Sequence, residues 1–319
     1  MSLEHSVLIC DQVNPVLNEI LEKNGLKITY EPEISPEQIA EKIENFEVVI
    51  VRSRTKLTKD LIEKANKCQI IARVGVGLDN IDQNAAKEKN IRVINAVEGA
   101  MNAVAELVLG LMFSLAREIP RADREVRNGN WIKKELMGTE LRGKYLGIVG
   151  LGNIGKRLGR LARALNMNII GFDVAPIDEE FSKEVGLMKA DLGTLLASSD
   201  YVSLHVPLLD STKHLINAEK MTTMKNTARI INTSRGKCIN IRDLIQSFES
   251  NKILGACLDV LPFENISFES ISQESNELRY LMSSRKTILS PHIAGWTQES
   301  RRKIADLLLK KITRFHDQL

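Results

Sequence analysis

The stretch from Lys144 to Asp173, KYLGIVGLGNIGKRLGRLARALNMNIIGFD, constrains the fold of this chain more than any other feature. An apolar run over Tyr145–Val149 predicts a buried strand, and the Gly150–Gly155 segment that follows has the spacing G-x-G-x-x-G. Apolar residues then recur at helical intervals, and a second apolar run ends in the acid. A strand, a glycine turn, a helix and a second strand that ends in an acid are typical of a dinucleotide-binding unit.

Each of these residues has a physical role in holding a dinucleotide. Gly150 lets the strand turn sharply, Gly152 lets the backbone approach a pyrophosphate, and Gly155 lets the helix pack close to the strand. The pyrophosphate would lie against N–H groups at the positive end of the helix. Asp173 would accept hydrogen bonds from the adenosine ribose and repel a 2′-phosphate, which predicts NAD rather than NADP. The alternative is an ordinary strand–helix turn of an α/β sheet.

The length and charge of the chain narrow its class. It has 319 residues, 43% of them hydrophobic, which is enough for two domains. Its 44 basic and 41 acidic residues give a net charge of +3, and no long block of like charge occurs. This balance argues against a nucleic-acid or membrane surface, while it allows a locally basic site for a small anionic substrate.

The cysteines and histidines predict neither disulfides nor a metal site. The cysteines are far apart and form no C-x-x-C pair: Cys10, Cys68, Cys238 and Cys257. We therefore expect buried thiols in a reducing cytosol. The histidines have no metal-ligand spacing, no signal peptide is recognisable, and no apolar run approaches the ~18 residues of a membrane span. The expectation is a cytoplasmic protein that binds no metal and no membrane.

The first hundred residues alternate strand-like and helix-like segments. This alternation predicts a parallel, doubly wound sheet, and the lack of a G-x-G-x-x-G argues that this part does not bind the dinucleotide. The predicted strands are Val7–Cys10, Lys27–Tyr30, Val48–Val51, Ile70–Val74 and Val93–Ile94, and the predicted helices are Val13–Lys23, Pro36–Ile43, Thr58–Ala65 and Asp82–Lys89.

The alternation resumes after an apolar helix predicted at Asn102–Arg117. Further strands are predicted at Tyr201–Leu204, Arg229–Ile231, Ala256–Leu258 and Thr287–Leu289, with helices near 191–197, 217–223 and 241–250. The last helix, Gln298–Phe315, has no sheet of its own, so we expect it to pack on the N-terminal domain. The prediction is a substrate-binding domain of residues 1–99 and 293–319, with an NAD-binding domain of residues 100–292 inserted into it. A site is expected in the cleft between them.

Three polar residues that follow predicted strands could carry chemistry: Arg235, Glu264 and His292. A histidine is the usual general acid–base group near neutral pH, and a carboxylate bonded to its far nitrogen would hold its tautomer. An arginine can bind a substrate carboxylate and polarise a neighbouring carbonyl. The alternatives are a surface ion-pair arginine, a solvated loop glutamate and a histidine with an ordinary structural role. Next to a nucleotide motif, the three together favour catalysis.

Eight ordered segments resemble the D-isomer-specific 2-hydroxyacid dehydrogenase family, over essentially the whole chain. They are VRSRTKLT (51–58), ARVGVGLDNID (72–82), AVAELVLGLM (103–112), GIVGLGNIG (147–155), HVPLLDST (205–212), INTSRGK (231–237), GACLDV (255–260) and SPHIAG (290–295). The resemblance implies two doubly wound parallel-sheet domains, a Rossmann NAD-binding domain inserted into a flavodoxin-like substrate domain. It also implies hydride transfer between nicotinamide and C2 of a D-2-hydroxy acid.

The resemblance also implies roles for individual residues. His292 would donate a proton to the keto oxygen and accept it in the reverse direction, Glu264 would orient His292, and Arg235 would bind the α-carboxylate. Backbone N–H groups of Val76 and Gly77 would hold the same carboxylate. The implied pyrophosphate and ribose contacts are Asn153, Ile154 and Asp173, and the implied nicotinamide contacts are Val206, Thr233, Ser234, Arg235, Asp259, His292, Ala294 and Gly295.

Within the family the chain is most similar to D-3-phosphoglycerate dehydrogenases, which implies 3-phosphoglycerate as the substrate and a place in serine biosynthesis. The implied substrate contacts at the phosphate end are Arg52, Ser53 and Arg54. Lys133 would reach the site of a partner subunit in a homodimer formed through the NAD-binding domain, with the helix at Asn102–Arg117 in the interface. The alternative is that the two arginines merely lie at a strand end.

Two features depart from the family pattern. Asn265 stands where the family usually has proline, and the polar segment after it is longer than usual, which leaves the register of Glu264 open. Asn240 stands where aspartate is common. The chain ends just past the returning helix, so the C-terminal regulatory domain of many phosphoglycerate dehydrogenases is expected to be absent.

Two other functions remain in view. One is a reductase of glyoxylate, hydroxypyruvate or D-lactate, which would use the same residues on an unphosphorylated acid. The other, from a different class, is an NAD-binding scaffold like the transcriptional corepressors that share this fold. The complete set of arginine, glutamate and histidine favours an enzyme.

Overall fold

The chain folds into two compact α/β units in a computed structural model, which describes residues 5–265, 271 and 275–316. One unit holds the described residues up to Ala100 and from Gly295 onward, and the other holds Met101–Asn265 with the described residues up to Ala294. The division inferred from the sequence lies close to these limits. Most of the polar segment after Asn265, and the side chain of Phe315, lie outside the described residues.

The first unit is a five-stranded parallel sheet. Its strands are β1 (Ser6–Ile9), β2 (Lys27–Tyr30), β3 (Val48–Val51), β4 (Ile70–Arg73) and β5 (Arg92–Asn95), and its first helices are α1 (Pro15–Lys23), α2 (Pro36–Lys42), α3 (Lys59–Lys64) and α4 (Gln83–Glu88). The strand order is β2-β1-β3-β4-β5, as in flavodoxin-like doubly wound sheets. All residues of β3 and β4 are buried, which a parallel sheet covered on both faces requires.

Local sequence explains where the helices of this unit begin. Asn14 caps α1 by accepting a hydrogen bond from the Val16 N–H, and Pro15 takes the first helical position. At α2, Ser35 and Gln38 form a reciprocal capping box, with a proline again in the first turn. The predicted start of α2 is therefore confirmed.

The second unit is a seven-stranded parallel sheet with helices between its strands. The strands are β6 (Tyr145–Val149), β7 (Asn168–Phe172), β8 (Met188–Lys189), β9 (Tyr201–Leu204), β10 (Arg229–Asn232), β11 (Gly255–Leu258) and β12 (Thr287–Leu289). The helices are α5 (Val97–Ala116), α6 (Ile119–Arg127), α7 (Asn153–Ala164), α8 (Glu179–Val185), α9 (Leu192–Ser198), α10 (Ala218–Thr223), α11 (Ile241–Glu249) and α12 (Asn276–Ser283). The strand order is β12-β11-β10-β9-β6-β7-β8. From β6 the chain first adds strands on one side, β7 and β8, and then adds β9 to β12 on the other side, so the strand order switches between β6 and β9. Ligands of open α/β sheets bind at such a switch, beyond the carboxyl ends of the strands.

The last helix, α13 (Gln298–His316), belongs to the first unit. It packs against α1 and β5 through a buried stripe of Ile304, Ala305, Leu308 and Ile312. Lys311 on the same helix donates to the Glu98 carboxylate at 2.9 Å and to the carbonyl oxygen of Asn95 at 2.8 Å. The prediction that this helix returns to the N-terminal sheet is confirmed, because a helix with an apolar stripe must bury it against another element.

The predicted fold class is confirmed in both units, and three short elements escaped prediction. The sequence did not predict α8, β8 or α12, because β8 is a two-residue edge strand and the two helices are short and largely polar. The four cysteines are buried, as expected.

The limits predicted for α5 differ from those in the structure. The helix begins at Val97 rather than Asn102, and with 20 residues it is long and apolar enough, by length and composition only, to cross a membrane. Half of that apolar window is buried in the structure. Ala105, Val108 and Met112 are fully buried, as in the core helix of a globular unit.

The packing of α13 can be tested by shortening one buried side chain at the centre of the helix. Leu308 is 0% exposed, so Leu308→Ala should lower the free energy of unfolding by about 2–5 kcal/mol through lost contacts and a residual cavity. Urea unfolding followed by circular dichroism measures this. The matched control is Lys310→Ala on an exposed position of the same helix, which should change stability by less than about 0.5 kcal/mol. Equal effects of the two substitutions would contradict the packing described.

Candidate active site

In the glycine turn after β6, two positions have room for no side chain larger than a hydrogen atom. Gly150 has a φ of 95°, and a Cβ there would lie 2.6 Å from the carbonyl oxygen of His205. A Cβ on Gly155 would lie 2.0 Å from the carbonyl oxygen of Gly150. Both glycines are thus required by close approach, in the places the sequence predicted.

The start of α7 is open to an anion. Its N-cap is Gly152, which has no side chain to accept from the first N–H groups, whereas Asn, Ser or Asp caps α1, α2, α9 and α11. The first helical residues are Asn153 and Ile154. Their N–H groups have no partner within the helix and carry its positive partial charge, so a pyrophosphate fits here.

Asp173 ends β7 beside this turn. One of its carboxylate oxygens accepts from the Leu151 N–H at 2.6 Å and the other from the Ala175 N–H at 2.9 Å. Each oxygen keeps a lone pair, so the carboxylate can still accept from ribose hydroxyls, while its negative charge opposes a 2′-phosphate.

The loop after β10 is organised by a buried asparagine. The side chain of Asn232 is 0% exposed; its Oδ1 accepts from the N–H and hydroxyl of Ser234 at 3.0 and 2.8 Å, and its Nδ2 donates to the carbonyl oxygen of Arg235 at 2.9 Å. The Arg235 guanidinium donates from Nη1 to the Ser234 carbonyl at 2.7 Å. The Thr233 hydroxyl is buried and has no hydrogen-bond partner among the described residues. An orphaned hydroxyl at this position suits a bound nucleotide that would supply its partner.

The loop that carries Arg235 packs directly on the loop that carries Glu264. A Cβ on Gly236 would lie 2.2 Å from the carbonyl carbon of Leu261 and 2.4 Å from the nitrogen of Pro262. The Glu264 carboxylate in turn accepts from the Leu261 N–H. Glu264 therefore holds its own loop as well as facing the site.

Glu264 and His292 are brought into contact by the tertiary fold. Oε2 of Glu264 lies 2.7 Å from Nδ1 of His292, and the two side chains are 13% and 25% exposed. The position of Asn265 after the glutamate therefore does not prevent this contact. A carboxylate bonded to Nδ1 fixes the ring orientation and leaves Nε2 as the nitrogen that can exchange a proton with a substrate.

The Asp259 carboxylate fixes the backbone on both sides of His292. This carboxylate, 1% exposed, accepts from the Ser290 hydroxyl at 2.6 Å and from the N–H groups of Ile293 and Ala294 at 3.0 and 2.9 Å. These bonds hold His292 in a left-handed conformation with a φ of 53°. A strained backbone at a candidate catalytic residue persists only because its surroundings impose it. Of the other predicted contacts, Val206 follows β9 and is half-buried, and the Gly295 carbonyl accepts from the Ser300 hydroxyl.

In the first unit, the turn after β4 presents unpaired backbone donors. Gly75 has a φ of 147°, and Asn95 fixes the turn by donating to the Val76 carbonyl at 2.6 Å. Within the described part of the chain, the N–H groups of Val76 and Gly77 have no acceptor. Two adjacent N–H groups of this kind can bind a carboxylate.

The loop after β3 is anchored by the buried carboxylate of Asp11. It accepts from the Arg52 N–H at 2.5 Å and from the Thr55 N–H and hydroxyl at 3.1 and 2.5 Å. It also lies 3.4 Å from Nε of Arg54, whose Nη2 donates to the Cys10 carbonyl at 2.6 Å. The Arg54 guanidinium is therefore engaged in holding the loop. The Ser53 hydroxyl lies 3.5 Å from Nη2 of Arg73.

Lys133 lies in the second unit, at the start of a short 3₁₀ turn over Lys133–Glu135. Glu135 in this turn pairs with Arg121 of α6 at 2.8 Å, so the turn is tied to that helix. Lys133 itself is exposed. The site of a partner subunit that it was predicted to reach stays a prediction.

Sequence reasoning missed four residues in the loops of the two units: Asp11, Arg73, Asn232 and His205. The first three share a sequence signal, since each is a polar residue at the carboxyl end of an apolar strand. From this position, Nε of Arg73 donates to the Arg52 carbonyl oxygen at 3.1 Å. His205 also follows a strand, β9, and its Nε2 lies 2.9 Å from the Ser203 hydroxyl. Within the described ranges, no cluster of three or more His, Cys, Asp or Glu could hold a metal ion.

Comparison with known proteins agrees with this geometry. Residues 109–294 match the family model described as D-isomer specific 2-hydroxyacid dehydrogenase, NAD binding domain. The chain is 40% identical over 293 residues to a hydroxypyruvate reductase of Thermotoga maritima, covering 92% of each protein. It is 38% identical over 307 residues to a D-3-phosphoglycerate dehydrogenase of Methanocaldococcus jannaschii, covering 96% of this chain and 56% of that protein.

Solved structures show the same fold. A D-lactate dehydrogenase from Aquifex aeolicus, complexed with NAD and lactic acid, aligns over 98% of this chain and 96% of its own, with 28% identity and a TM-score of 0.84. A D-mandelate dehydrogenase from Rhodotorula graminis aligns over 98% and 94%, with 28% identity and a TM-score of 0.86. Against the phosphoglycerate dehydrogenase, by contrast, the chain spans just over half of the relative's length.

The partly buried histidine next to the glycine turn, His205, should make stability depend on pH. Burial lowers the pKa of His205 from 6.5 to about 4. The unfolded chain takes up a proton on this ring below about pH 6.5 and the folded chain only below about pH 4, so stability should fall as pH drops through that window, by up to about 3 kcal/mol. Urea unfolding at pH 7 and pH 4.5 measures the loss. The His205→Gln variant cannot take up this proton, so its loss of stability between the two pH values should be smaller by up to about 3 kcal/mol. A variant with the same pH dependence as the wild type would refute the role of His205.

Proposed function

Because the chain belongs to the D-isomer-specific 2-hydroxyacid dehydrogenase family and is an NAD-dependent member of it, we propose that it oxidises 3-phosphoglycerate at C2 to 3-phosphohydroxypyruvate, and reduces the keto acid in reverse. The observation that carries a catalytic role is the contact of 2.7 Å between Glu264 and His292. A scaffold would not need a histidine held in a left-handed conformation by a buried aspartate.

His292 is the proposed acid–base group. In the oxidative direction, Nε2 removes the proton of the C2 hydroxyl while the hydride leaves C2, so the C–H and O–H bonds break and a carbonyl forms. Bound NAD⁺ would supply the hydride acceptor, and bound NADH would supply the hydride donor in the reverse direction. The charge that develops on the imidazole is stabilised by Glu264 at Nδ1, as in other carboxylate–histidine pairs.

Arg235, Val76 and Gly77 are the proposed carboxylate ligands. A guanidinium binds a carboxylate through two parallel hydrogen bonds, which sets the direction in which C2 presents its hydrogen. The loop of Arg235 is rigid because Asn232 and Gly236 fix its backbone. The proposed cofactor contacts are those named from the sequence, with Gly152, Asn153 and Ile154 at the pyrophosphate, Asp173 at the ribose, and the orphaned Thr233 hydroxyl among those at the nicotinamide end.

The choice of 3-phosphoglycerate rests on positive charge in the first unit and on the phosphoglycerate dehydrogenase relatives, which would place the enzyme in serine biosynthesis. Hydroxypyruvate is the second candidate, since a hydroxypyruvate reductase matches this chain at 40% identity over 92% of both lengths. Hydroxypyruvate and 3-phosphohydroxypyruvate, the keto acid formed from 3-phosphoglycerate, have the same three-carbon skeleton and differ only in the phosphate on C3. Discrimination between them therefore depends on the residues that face the distal end of the acid.

We further propose a cytoplasmic homodimer that associates through the second unit. A row of apolar side chains from the end of α5 to the segment after α6 is exposed: Phe113 at 39%, Ile119 at 49%, Val126 at 51%, Trp131 at 83% and Met137 at 87%. Several large apolar side chains left exposed along one stretch of the chain are typical of a segment that a partner covers. Lys133 lies within this segment, where a partner subunit could receive it.

The acid–base assignment can be tested at a matched pair of histidines. His292 and His214 both have a positive φ, 53° and 51°, and asparagine tolerates this conformation. His292→Asn should lower kcat by about 10²–10⁴-fold, since the proton acceptor is lost, whereas the exposed His214→Asn should leave it unchanged. Glu264→Gln should cause a smaller loss.

The measurement is the absorbance of NADH with a panel of 3-phosphoglycerate, D-glycerate, D-lactate and the matching keto acids. Turnover with NAD that prefers the phosphorylated acid supports the leading proposal, and a preference for hydroxypyruvate supports the second candidate. Protein that binds NAD but turns over none of these acids would instead be a scaffold. His292→Asn with full activity would refute the assignment of the histidine.

The dimer can be tested by placing charge on the exposed row. Trp131→Lys should shift the protein from dimer to monomer in sedimentation velocity, because a buried unpaired ammonium is costly. Leu254→Lys, at an apolar position of the same unit that is 43% exposed, is the control and should leave the dimer intact. A wild-type protein that sediments as a monomer would refute the proposal.

A further inference from the structure

Two arginines that are distant in sequence stack on one indole in the first unit. The Cζ atom of Arg52 lies 4.7 Å from the ring centroid of Trp296, and the Cζ atom of Arg301 lies 4.3 Å from the same centroid. Their Cζ atoms can therefore be no more than about 9 Å apart. The indole is 48% exposed, so these guanidiniums lie at the surface of the unit rather than in its core. We call the three residues the indole clamp.

The indole is held in place by the turn that precedes α13. The Ser300 hydroxyl, on a residue that is 2% exposed, donates to the carbonyl oxygen of Gly295 at 2.5 Å. Ser300 and Thr297 also bond reciprocally, since each N–H donates to the hydroxyl of the other at 3.1 and 3.2 Å. The backbone on both sides of Trp296 is thereby fixed, so the ring is a rigid platform.

The backbone of Arg52 is fixed equally well. Its N–H donates to the buried Asp11 carboxylate, and its carbonyl accepts from Nε of Arg73 and Nδ2 of Asn80, both at 3.1 Å. With the backbone pinned and the guanidinium on the ring, little side-chain freedom is left to lose when a ligand binds. Such preorganisation is what makes a binding site effective.

The charge around the clamp calls for an anion. Arg301 lies in the first turn of α13, next to the positive end of the helix dipole, where a cation is unfavourable. Arg302 and Lys303 follow it, and the acidic residue in the same turn is Glu299. Within the described part of the chain, no carboxylate forms an ion pair with Arg301. Cation–π contact offsets part of the repulsion, and a ligand with negative charge would offset more.

We propose that the indole clamp binds the distal anionic group of the substrate and so determines the preference for a phosphorylated 2-hydroxy acid. This inference rests on the proposed function and names the residues that recognise the phosphate. When a guanidinium binds a phosphate, its Cζ lies roughly 4 Å from phosphorus, so two arginines that share one phosphate have Cζ atoms up to roughly 8 Å apart. The Cζ–Cζ separation in the clamp is at most about 9 Å, so both guanidiniums can reach one phosphate with at most a small movement of either side chain.

Among the phosphate contacts inferred from the sequence, which included Arg52 and Arg54, the clamp keeps Arg52 and puts Arg301 in the place of Arg54. The Arg54 guanidinium donates to the carbonyl oxygens of Cys10 and Ile34 and faces Asp11, so its role is to hold the loop that carries Arg52. Arg301 has no such structural bonds from its guanidinium among the described residues, and its Cζ lies over the exposed ring. A distal carboxylate could use the same cations, but a phosphate monoester carries more charge to share between two guanidiniums.

The first test compares adjacent arginines with paired substrates. Arg301→Ala should raise KM for 3-phosphoglycerate by about 10- to 100-fold, as expected for a lost charge-assisted contact, and should change KM for D-glycerate by less than about 3-fold. The control is Arg302→Ala, which removes the same charge one residue later from an exposed position and should change neither. In both variants kcat should stay near the wild-type value.

The second test asks whether Trp296 acts by positioning the arginines. Trp296→Ala should raise KM for 3-phosphoglycerate without lowering kcat, and Trp296→Phe, which keeps an aromatic face, should restore most of the affinity. A KM increase for D-malate as large as that for 3-phosphoglycerate in Arg301→Ala would assign the clamp to distal carboxylates. An equal effect on D-glycerate, or an equal effect of Arg302→Ala, would overturn the clamp.

A binding readout separates this inference from the proposed function. The chain has two tryptophans, so in a Trp131→Phe background the fluorescence reports on Trp296 alone. Titration with 3-phosphoglycerate should change that emission, and adding Arg301→Ala should weaken the apparent affinity by about 10-fold or more. If the wild type turned over no 2-hydroxy acid, the proposed function would fail, while this titration would still support or refute the clamp. No change in emission at millimolar 3-phosphoglycerate would refute it.

Discussion

The constraint on which the rest of the structure depends is that all strands in each sheet are parallel. Between two parallel strands the chain must return over a face of the sheet to the edge where the first strand began. Every loop that leaves a carboxyl end therefore emerges at the same edge of its sheet. In the second unit this places the loops of Gly150, Arg235, Glu264 and His292 at one edge. In the first unit it does the same for Arg52, Val76 and Gly77.

Both sheets use a buried aspartate to convert a strand end into a rigid loop. Asp11 follows β1 and is 2% exposed, and Asp259 follows β11 and is 1% exposed. Each carboxylate accepts at least three hydrogen bonds, mostly from main-chain N–H groups of a loop far away in sequence. A buried carboxylate is tolerated because those donors replace water, and in return it fixes backbone that carries candidate ligands.

The fold was largely predictable from sequence because the central strands are short, continuous apolar runs between helices with recognisable caps. β3 and β9 fall where the apolar runs predicted them, and the unit that carries the glycine pattern has the strand order of a dinucleotide-binding sheet. The elements that escaped prediction lack such signals. β8 has two exposed residues at a sheet edge, and α12 is a polar stretch that becomes a helix because Ser275 caps it and Leu278 and Leu281 find a core.

The sequence by itself determined the fold class, the place of the glycine turn and the acid at position 173, because each depends on residues close together in the chain. Only the tertiary structure decided which distant side chains meet. It brought Glu264 to His292 across 28 positions and Arg52 to Trp296 from opposite ends of the chain, and it engaged Arg54 in main-chain bonds. Local pattern cannot reveal such contacts, since they arise from strand order and loop packing rather than from spacing along the chain.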